Sequence, residues 1–163
     1  MPANFYAIAI GSNRPGRHGS PAAEVRAALD LLGGTASRIV DSTPLGPSRR
    51  RYANAAVLLT SDLDPPAMLA RLKAIERDFG RRRVRRWGAR VLDLDIILWS
   101  GGAWVSRGLA IPHPAFRDRD FVLAPLAAIA PGWRDPITHL TVRQLRARLT
   151  ARPPAPSRAA SRW

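Results

Sequence analysis

The sequence predicts an α+β domain, in which a largely antiparallel or mixed β-sheet carries helices packed on it. Strand-like and helix-like segments are interspersed along a chain of 163 residues, 46% of them hydrophobic. Several connections between strands are too short for the crossover helix that a parallel pair requires. This length and apolar content are typical of one domain with a substantial core. We therefore expect a single domain over residues 1–150 and a basic, disordered tail over 151–163.

The strands are predicted from alternation of apolar side chains and from the turn residues that follow them. Residues 5–10 alternate bulky and small apolar side chains and end at Gly11-Ser12-Asn13, which is typical of a first strand. Further strands are predicted over residues 37–42, 52–60 and 91–99, with a short segment at Trp104-Val105 pairing next to the last of them.

The helices are predicted from apolar spacing and from their end signals. Pro21 opens an amphipathic helix that Gly33-Gly34 ends, and Asp64 is the expected N-cap of a second helix that ends before Gly80. Two shorter helices are predicted over residues 122–129 and 142–149.

Composition restricts the possible functions. The formal net charge is +14, from 26 basic and 12 acidic residues, which favours polyanionic partners such as phosphates or nucleic acid. Coding bias that spreads arginines over a solvated surface is the alternative explanation. The chain has no cysteine, so thiolate metal sites are excluded and a hard cation is the favoured metal. We find no signal segment and no apolar stretch of membrane-spanning length, so a cytoplasmic protein is expected.

The densest positive charge precedes two acids in one strand. Six arginines lie within residues 81–90, followed by Asp93 and Asp95. Leu92, Leu94, Ile96 and Leu98 are predicted to face the core, and the two carboxylates to share the opposite face with Cα atoms about 6 to 7 Å apart. Magnesium binds through one or two carboxylates plus substrate phosphates, and the surplus arginines suit a triphosphate. The alternative is that Arg81, Arg86 or Arg90 neutralises the acids without a metal.

Two other functions remain open at this point. A two-metal nucleotidyltransferase also uses Gly-Ser and Asp-x-Asp motifs, but there they lie within about a dozen residues, whereas Ser12 and Asp93 are about 80 apart. A nucleic-acid-binding module would use the positive charge but leaves the two acids without a purpose. Neither a P-loop nor a GxGxxG motif occurs.

The stretch Arg86–Ile97, RWGARVLDLDII, resembles the signature of the 6-hydroxymethyl-7,8-dihydropterin pyrophosphokinases of the folate pathway, R-W-G-P-R-x-L-D-L-D followed by aliphatic residues. The resemblance extends to Gly11-Ser12-Asn13, Thr43-Pro44-Leu45-Gly46, Tyr52-x-Asn54, Ile75-Glu76, Pro112-His113-Pro114 and Arg119-x-Phe121. The chain departs from the pattern at Ala89 and Ala128, in a shorter segment between Gly80 and Trp87, in the basic run Arg49-Arg50-Arg51 and in a longer loop around His18.

The resemblance implies a ferredoxin-like fold with α-β-α layers, a monomer, and a reaction that moves pyrophosphate from ATP to the pterin hydroxymethyl group. It implies two magnesium ions held by Asp93 and Asp95, and catalytic roles for these two and for Arg81 and Arg90. The ATP site it implies consists of Glu76, Arg81, Arg83, Arg86, Trp87, Arg90, His113 and Arg119. The pterin site it implies consists of Thr43, Pro44, Leu45, Tyr52, Asn54, Trp87 and Phe121.

Simpler explanations compete for three of these residues. Phe121 has the sequence environment of a core aromatic residue, and Asn54 that of a buried turn residue. His113, between two prolines, is equally compatible with a structural histidine. Glu76 is one of only two glutamates and ends a helix, where a negative charge is unfavourable; contact with a nucleotide would explain it.

Overall fold

The computed structural model describes residues 3–42, 52–80 and 91–151. The strands are β1 (Asn4–Ser12), β2 (Thr35–Ala36), β3 (Val40–Ser42), β4 (Tyr52–Ser61), β5 (Asp93–Trp99), β6 (Trp104–Ser106) and β7 (Leu109–Ile111). The helices are α1 (Pro21–Leu32), α2 (Pro65–Phe79), α3 (Asp120–Ile129) and α4 (Val142–Ala151), with a 3-10 turn at Phe116–Asp118.

The main sheet is antiparallel throughout the described residues. Its central strand β1 pairs with β4 on one side and with β5 on the other, and β2 and β3 both pair with the outer side of β4. A strand thus lies between the two that flank α1, which is the split β-α-β arrangement of the ferredoxin-like fold. The predicted fold class is confirmed.

The two faces of the sheet form two separate cores. On β1, the bulky side chains of Tyr6, Ile8 and Ile10 point into a core covered by α1 and α2. The small side chains of Ala7 and Ala9 point to the other face, where α3 and α4 pack. The alternation read from the sequence therefore produces the predicted α-β-α layers, because successive side chains of a strand face opposite sides.

The two long helices begin at the predicted caps. Ser20 Oγ accepts a hydrogen bond from Ala23 N at 3.3 Å, and Asp64 Oδ1 accepts one from Ala67 N at 3.0 Å. After α1 the chain turns through Gly34, whose φ of 77° and close approach to the Leu58 carbonyl leave no room for a Cβ atom. No helix in the described residues is both long and apolar enough to cross a membrane.

The prediction that Leu98 shares a face with Leu94 and Ile96 is wrong. Ala7 pairs with Leu98 while the next residue of β1, Ile8, pairs with Ile96, so β5 carries one extra residue, Ile97. For the residues after it, this bulge reverses which face of the sheet each side chain points to. Leu98 therefore packs in the second core, on the side of the sheet that Asp93 and Asp95 face.

Two shorter predictions need correction. Trp104-Val105 pairs with β7 in a separate hairpin rather than beside β5. Of the strand predicted over 37–42, only β3 (Val40–Ser42) forms, and a separate β2 (Thr35–Ala36) precedes it. Between the two, the Ser37 hydroxyl accepts from Ala56 N at 2.9 Å and takes the place of a ladder carbonyl. The expected tail falls outside the described residues from 152 onward, and the single-domain assignment stays a prediction.

Candidate active site

Two rows of side chains run across the sheet on the α3 face. Asp95 pairs with Ala9, which pairs with Ala56; one step along, Asp93 pairs with Gly11, which pairs with Asn54. With strands about 4.8 Å apart, Asp93 and Asn54 lie about 10 Å apart at their Cα atoms. Small residues on the central strand therefore leave an open floor between the carboxylates and the amide.

A cavity of about 630 Å³ lies above this floor. Its walls come from the ends of β1, β4 and β5, from the segment before α3, and from the first turn of α3. It brings together most of the predicted residues that the structure describes: Tyr52, Asn54, Asp93, Asp95, His113, Arg119 and Phe121.

The two aspartates reach the cavity from the same face of β5, as predicted. Asp93 is exposed and Asp95 partly buried. In the described part of the chain, no group of three or more histidine, aspartate or glutamate side chains could hold a metal by itself. Two hard carboxylate ligands without a third suit magnesium, which takes its remaining ligands from water and substrate phosphates.

His113 stands between Asp95 and Arg119 at the cavity wall. Burial lowers the pKa of its imidazole and outweighs the opposing effect of Asp95, so the ring is neutral at pH 7. Its Nδ1 accepts a hydrogen bond from Ala115 N at 3.1 Å, which leaves the ring proton on Nε2. The histidine thus has a structural bond on one side and a free donor for a ligand on the other.

The aromatic and amide residues have the environments that ligand binding requires. The Phe121 side chain is 53% exposed, and the Arg119 guanidinium lies 5.7 Å from its ring centroid. The alternative that Phe121 is a core residue is wrong. Asn54 lies inside β4, half-buried and facing the cavity, so the alternative that it is a turn residue is wrong as well.

A second groove, of about 430 Å³, follows the outer edge of β5. It is bounded by Lys73 on α2, by β5 itself and by the β6–β7 hairpin, and it shares Asp95 and His113 with the larger cavity. Ligands in the two depressions would therefore meet beside these two side chains.

Glu76 lies next to the free edge of β5 and does not line the larger cavity. Its Oε1 accepts from Leu94 N at 3.3 Å and from Lys73 Nζ at 3.5 Å. Burial raises its pKa, and the nearby Asp93 adds to the shift, while Lys73 opposes it. The Glu76 carboxylate thus accepts a hydrogen bond from the backbone N–H of Leu94 at the edge of β5.

Eight predicted site residues fall outside the described residues, so their positions stay predictions. They are Thr43, Pro44, Leu45, Arg81, Arg83, Arg86, Trp87 and Arg90. In the sequence, their segments precede β4, which begins at Tyr52, and β5, which begins at Asp93.

Comparison with known proteins identifies the family of this chain. The model of the 7,8-dihydro-6-hydroxymethylpterin-pyrophosphokinase (HPPK) family matches residues 7–131. The chain belongs to this family. The predicted family is thereby confirmed.

Several bacterial proteins that carry the pyrophosphokinase name are similar to this chain. The 2-amino-4-hydroxy-6-hydroxymethyldihydropteridine pyrophosphokinase of Synechocystis sp. is 46% identical over 104 residues, which are 64% of this chain and 53% of that protein. The enzyme of Haemophilus influenzae is 38% identical over 76% of this chain and 79% of its own. The enzyme of Pseudomonas aeruginosa is 38% identical over 79% of this chain and 82% of its own length. The chain thus spans about half the length of the first relative and about four fifths of the other two.

Among solved structures, Plasmodium falciparum HPPK-DHPS superposes with a TM-score of 0.68 at 14% identity, over 90% of this chain and 45% of the other. At this identity the likeness supports the HPPK fold alone.

Sequence reasoning missed several residues that line the candidate site, among them Ala9, Gly11 and Ile97. Ala9 and Gly11, which face the same side of β1, form the floor of the cavity. Ile97 lines the cavity because of the bulge in β5. The small residues at every second position of β1 could have indicated Ala9 and Gly11 as the floor of a site. The bulge left no local signal, because it depends on pairing between distant strands.

Proposed function

We propose that this protein transfers pyrophosphate from ATP to 6-hydroxymethyl-7,8-dihydropterin and releases AMP and the pterin diphosphate, a step of tetrahydrofolate biosynthesis. The observation that carries the proposal is that Asp95 and His113 line both the large cavity and the groove along β5. Two substrates bound in these depressions would have their reacting groups beside the acidic pair.

The pterin occupies the large cavity. Phe121 offers its exposed ring as a stacking platform, and the Asn54 amide can both donate to and accept from the edge of a heteroaromatic ring. Tyr52 adds a second aromatic wall. From the family resemblance, Thr43, Pro44, Leu45 and Trp87 complete this part of the site.

ATP lies along the outer edge of β5. Lys73 and the β6–β7 hairpin bound the groove, and His113 Nε2–H is placed as a donor toward the phosphates. Arg119 brings a positive charge to the wall of the large cavity. From the resemblance, Arg81, Arg83, Arg86, Trp87 and Arg90 engage the phosphates, and Glu76 contacts the nucleotide.

Asp93 and Asp95 are the ligands for magnesium, for which we propose two ions. When bound with ATP, the ions would neutralise phosphate charge and polarise the phosphoryl group. The carboxylates also explain why a nucleic acid is a poor specific partner, since acids on a binding face repel phosphates. We propose a monomeric, cytoplasmic enzyme.

The reaction is a substitution at the β-phosphorus. The pterin hydroxymethyl oxygen forms a bond to the β-phosphorus, the bond from that phosphorus to the α,β-bridging oxygen breaks, and AMP leaves with this oxygen. The hydroxyl proton passes to solvent or to a basic oxygen at the site. Such chemistry depends on in-line placement and charge neutralisation more than on a strong base. His113 and Arg119 serve binding and charge stabilisation, with Arg81 and Arg90 assigned to the same task by resemblance.

The test combines protein, ATP, magnesium and the pterin, and follows the nucleotide products by phosphorus NMR. AMP that forms only when the pterin is present supports the proposal. In the Asp95→Ala variant we expect turnover to fall by about a hundredfold or more, because a charge that stabilises the transition state is lost. Asp62→Ala, which removes an exposed aspartate that lines neither depression, is the control for loss of a carboxylate elsewhere.

Three results would reject the proposal in different ways. ADP as the product would indicate transfer of a single phosphoryl group. Inorganic pyrophosphate with AMP attached to an acceptor would indicate a nucleotidyltransferase. Absence of turnover together with salt-sensitive binding to random RNA would favour a nucleic-acid-binding module.

A further inference from the structure

A buried ion pair lies behind the active-site wall. The Arg117 guanidinium donates from Nε to Asp135 Oδ2 and from Nη2 to Asp135 Oδ1, the latter at 2.8 Å. Asp135 is 0% exposed. It also accepts from Ile137 N at 3.0 Å and from the Thr138 hydroxyl at 2.7 Å. Each carboxylate oxygen therefore has two donors, which is full satisfaction for a buried charge.

The carboxylate stays ionised in this environment. Burial opposes ionisation of Asp135, but the hydrogen bonds from Arg117, Thr138 and Ile137 outweigh it and hold the pKa at about 2. The pair is therefore an ion pair, not a neutral hydrogen bond, at neutral pH.

Arg117 belongs to the segment that carries much of the site. It lies in the 3-10 turn between His113 on one side and Arg119 and Phe121 on the other, and these three residues line the large cavity. Arg117 itself points away from the cavity to Asp135. The segment is also held by the buried Phe116 ring, by the hydrogen bond from His113 N to Ile97 O at 3.1 Å, and by the hydrogen bonds of the turn itself.

Asp135 lies in a hydrogen-bonded turn after α3. Its backbone N–H donates to Leu140 O at 2.9 Å, and its carbonyl accepts from His139 N at 2.9 Å. Val142 N donates to Trp133 O at 2.9 Å and ties the turn to α4. This anchor lies beyond residue 131, where the match to the family model ends.

We propose that the Arg117–Asp135 pair is a positioning device that sets His113, Arg119 and Phe121 for substrate binding. Two parallel hydrogen bonds from a planar fork fix orientation as well as distance, which one ammonium bond does not. The residues after α3 thereby take part in substrate binding without touching a substrate. The roles of the three site residues rest on the function proposed above.

The test compares Arg117→Lys and Asp135→Asn with Arg146→Lys. The control makes the same arginine-to-lysine change in an exposed pair, Arg146 with Asp120, at the start of the same helix α3. The KM values for ATP and the pterin, kcat, and the calorimetric Kd for magnesium α,β-methylene-ATP are measured. All are taken at a temperature at which circular dichroism shows every variant to be fully folded.

We expect both KM values and the nucleotide Kd to rise about ten- to a hundredfold in the two buried-pair variants, with a smaller change in kcat, because displaced binding groups weaken both substrates. Arg146→Lys should match the wild type. Unchanged KM and Kd values in both variants, with only a lower melting temperature, would reduce the pair to a stabilising contact and overturn the proposal. An equal loss in Arg146→Lys would also overturn it. If the wild type releases no AMP, the proposed function fails, while the Kd comparison still decides the role of the pair.

Discussion

At the scale of single residues, the site depends on what is small as much as on what is charged. Gly11 separates Asp93 from Asn54 in the same row across the sheet. A Cβ atom at position 11 would lie 3.1 Å from Asn54 Oδ1, so the amide would have to move by a few tenths of an ångström. The glycine thereby keeps the amide in place while leaving the floor open.

Gly11→Ala should therefore raise the KM for the pterin about three- to tenfold, which is the value of one neutral hydrogen bond. Folding should be preserved, since the added methyl group touches only the end of one side chain. Steady-state kinetics with varied pterin measure the effect. Gly132→Ala is the matched control, because no atom lies within 4 Å of its Cβ position. Equal pterin KM values for the two variants would show that Asn54 does not bind the ring.

Residue roles were predictable where the side chain chemistry is distinctive and local. The Asp-x-Asp pair on one face of a strand follows from alternation alone. Phe121 and Asn54 could be assigned only through the resemblance, because a phenylalanine at the start of a helix is equally suited to the core or to a ligand. Exposure decides between these two, and exposure is a property of the folded chain.

At the scale of elements, α2 links the core to the candidate site. Its Met68 and Leu72 are buried against the sheet, and its Lys73 bounds the groove along β5. The helix ends at Phe79 with Gly80 as its C-cap, directly before the arginine-rich stretch of the sequence. Its start is defined by Asp64, whose carboxylate satisfies Ala67 N.

Asp64→Ala should lower the free energy of unfolding by about 1 kcal/mol, because an N-terminal amide loses its side-chain acceptor. The value of kcat should not change, since Asp64 lines neither the large cavity nor the groove. Urea unfolding followed by circular dichroism gives the measurement. Asp62→Ala removes an exposed aspartate that caps no helix and serves as the control; an equal loss in both variants would contradict a capping role.

At the scale of the whole molecule, the charge of +14 serves more than one purpose. Some arginines form exposed ion pairs with acids, such as Arg17 with Asp78 at 2.9 Å, and contribute little to stability. Others surround the candidate site, as Arg119 does. The sequence 152–163 adds three arginines, Arg152, Arg158 and Arg162, which have no predicted role in transfer.

Deletion of residues 152–163 should leave kcat and both KM values unchanged and lower the formal charge by three, from +14 to +11. Binding to single-stranded RNA should weaken, and the slope of log K against log salt should become shallower by up to about two, since each phosphate contact contributes about 0.7. Fluorescence anisotropy at several salt concentrations measures the slope. A full-length variant with these arginines changed to glutamine should behave in the same way. A fall in kcat on deletion would instead show that residues 152–163 contribute to catalysis.

By itself, the sequence determined the starts and ends of the long helices, the α+β class, the acidic pair and the family, because caps, periodicity and motifs are encoded within short stretches. Tertiary structure decided the rest. It joined Gly11, Asn54, Asp95, His113 and Phe121 from distant parts of the chain, inserted Ile97 as a bulge, and paired Arg117 with Asp135. Strand register and the burial of charge depend on long-range pairing and packing, which leave no local pattern to read.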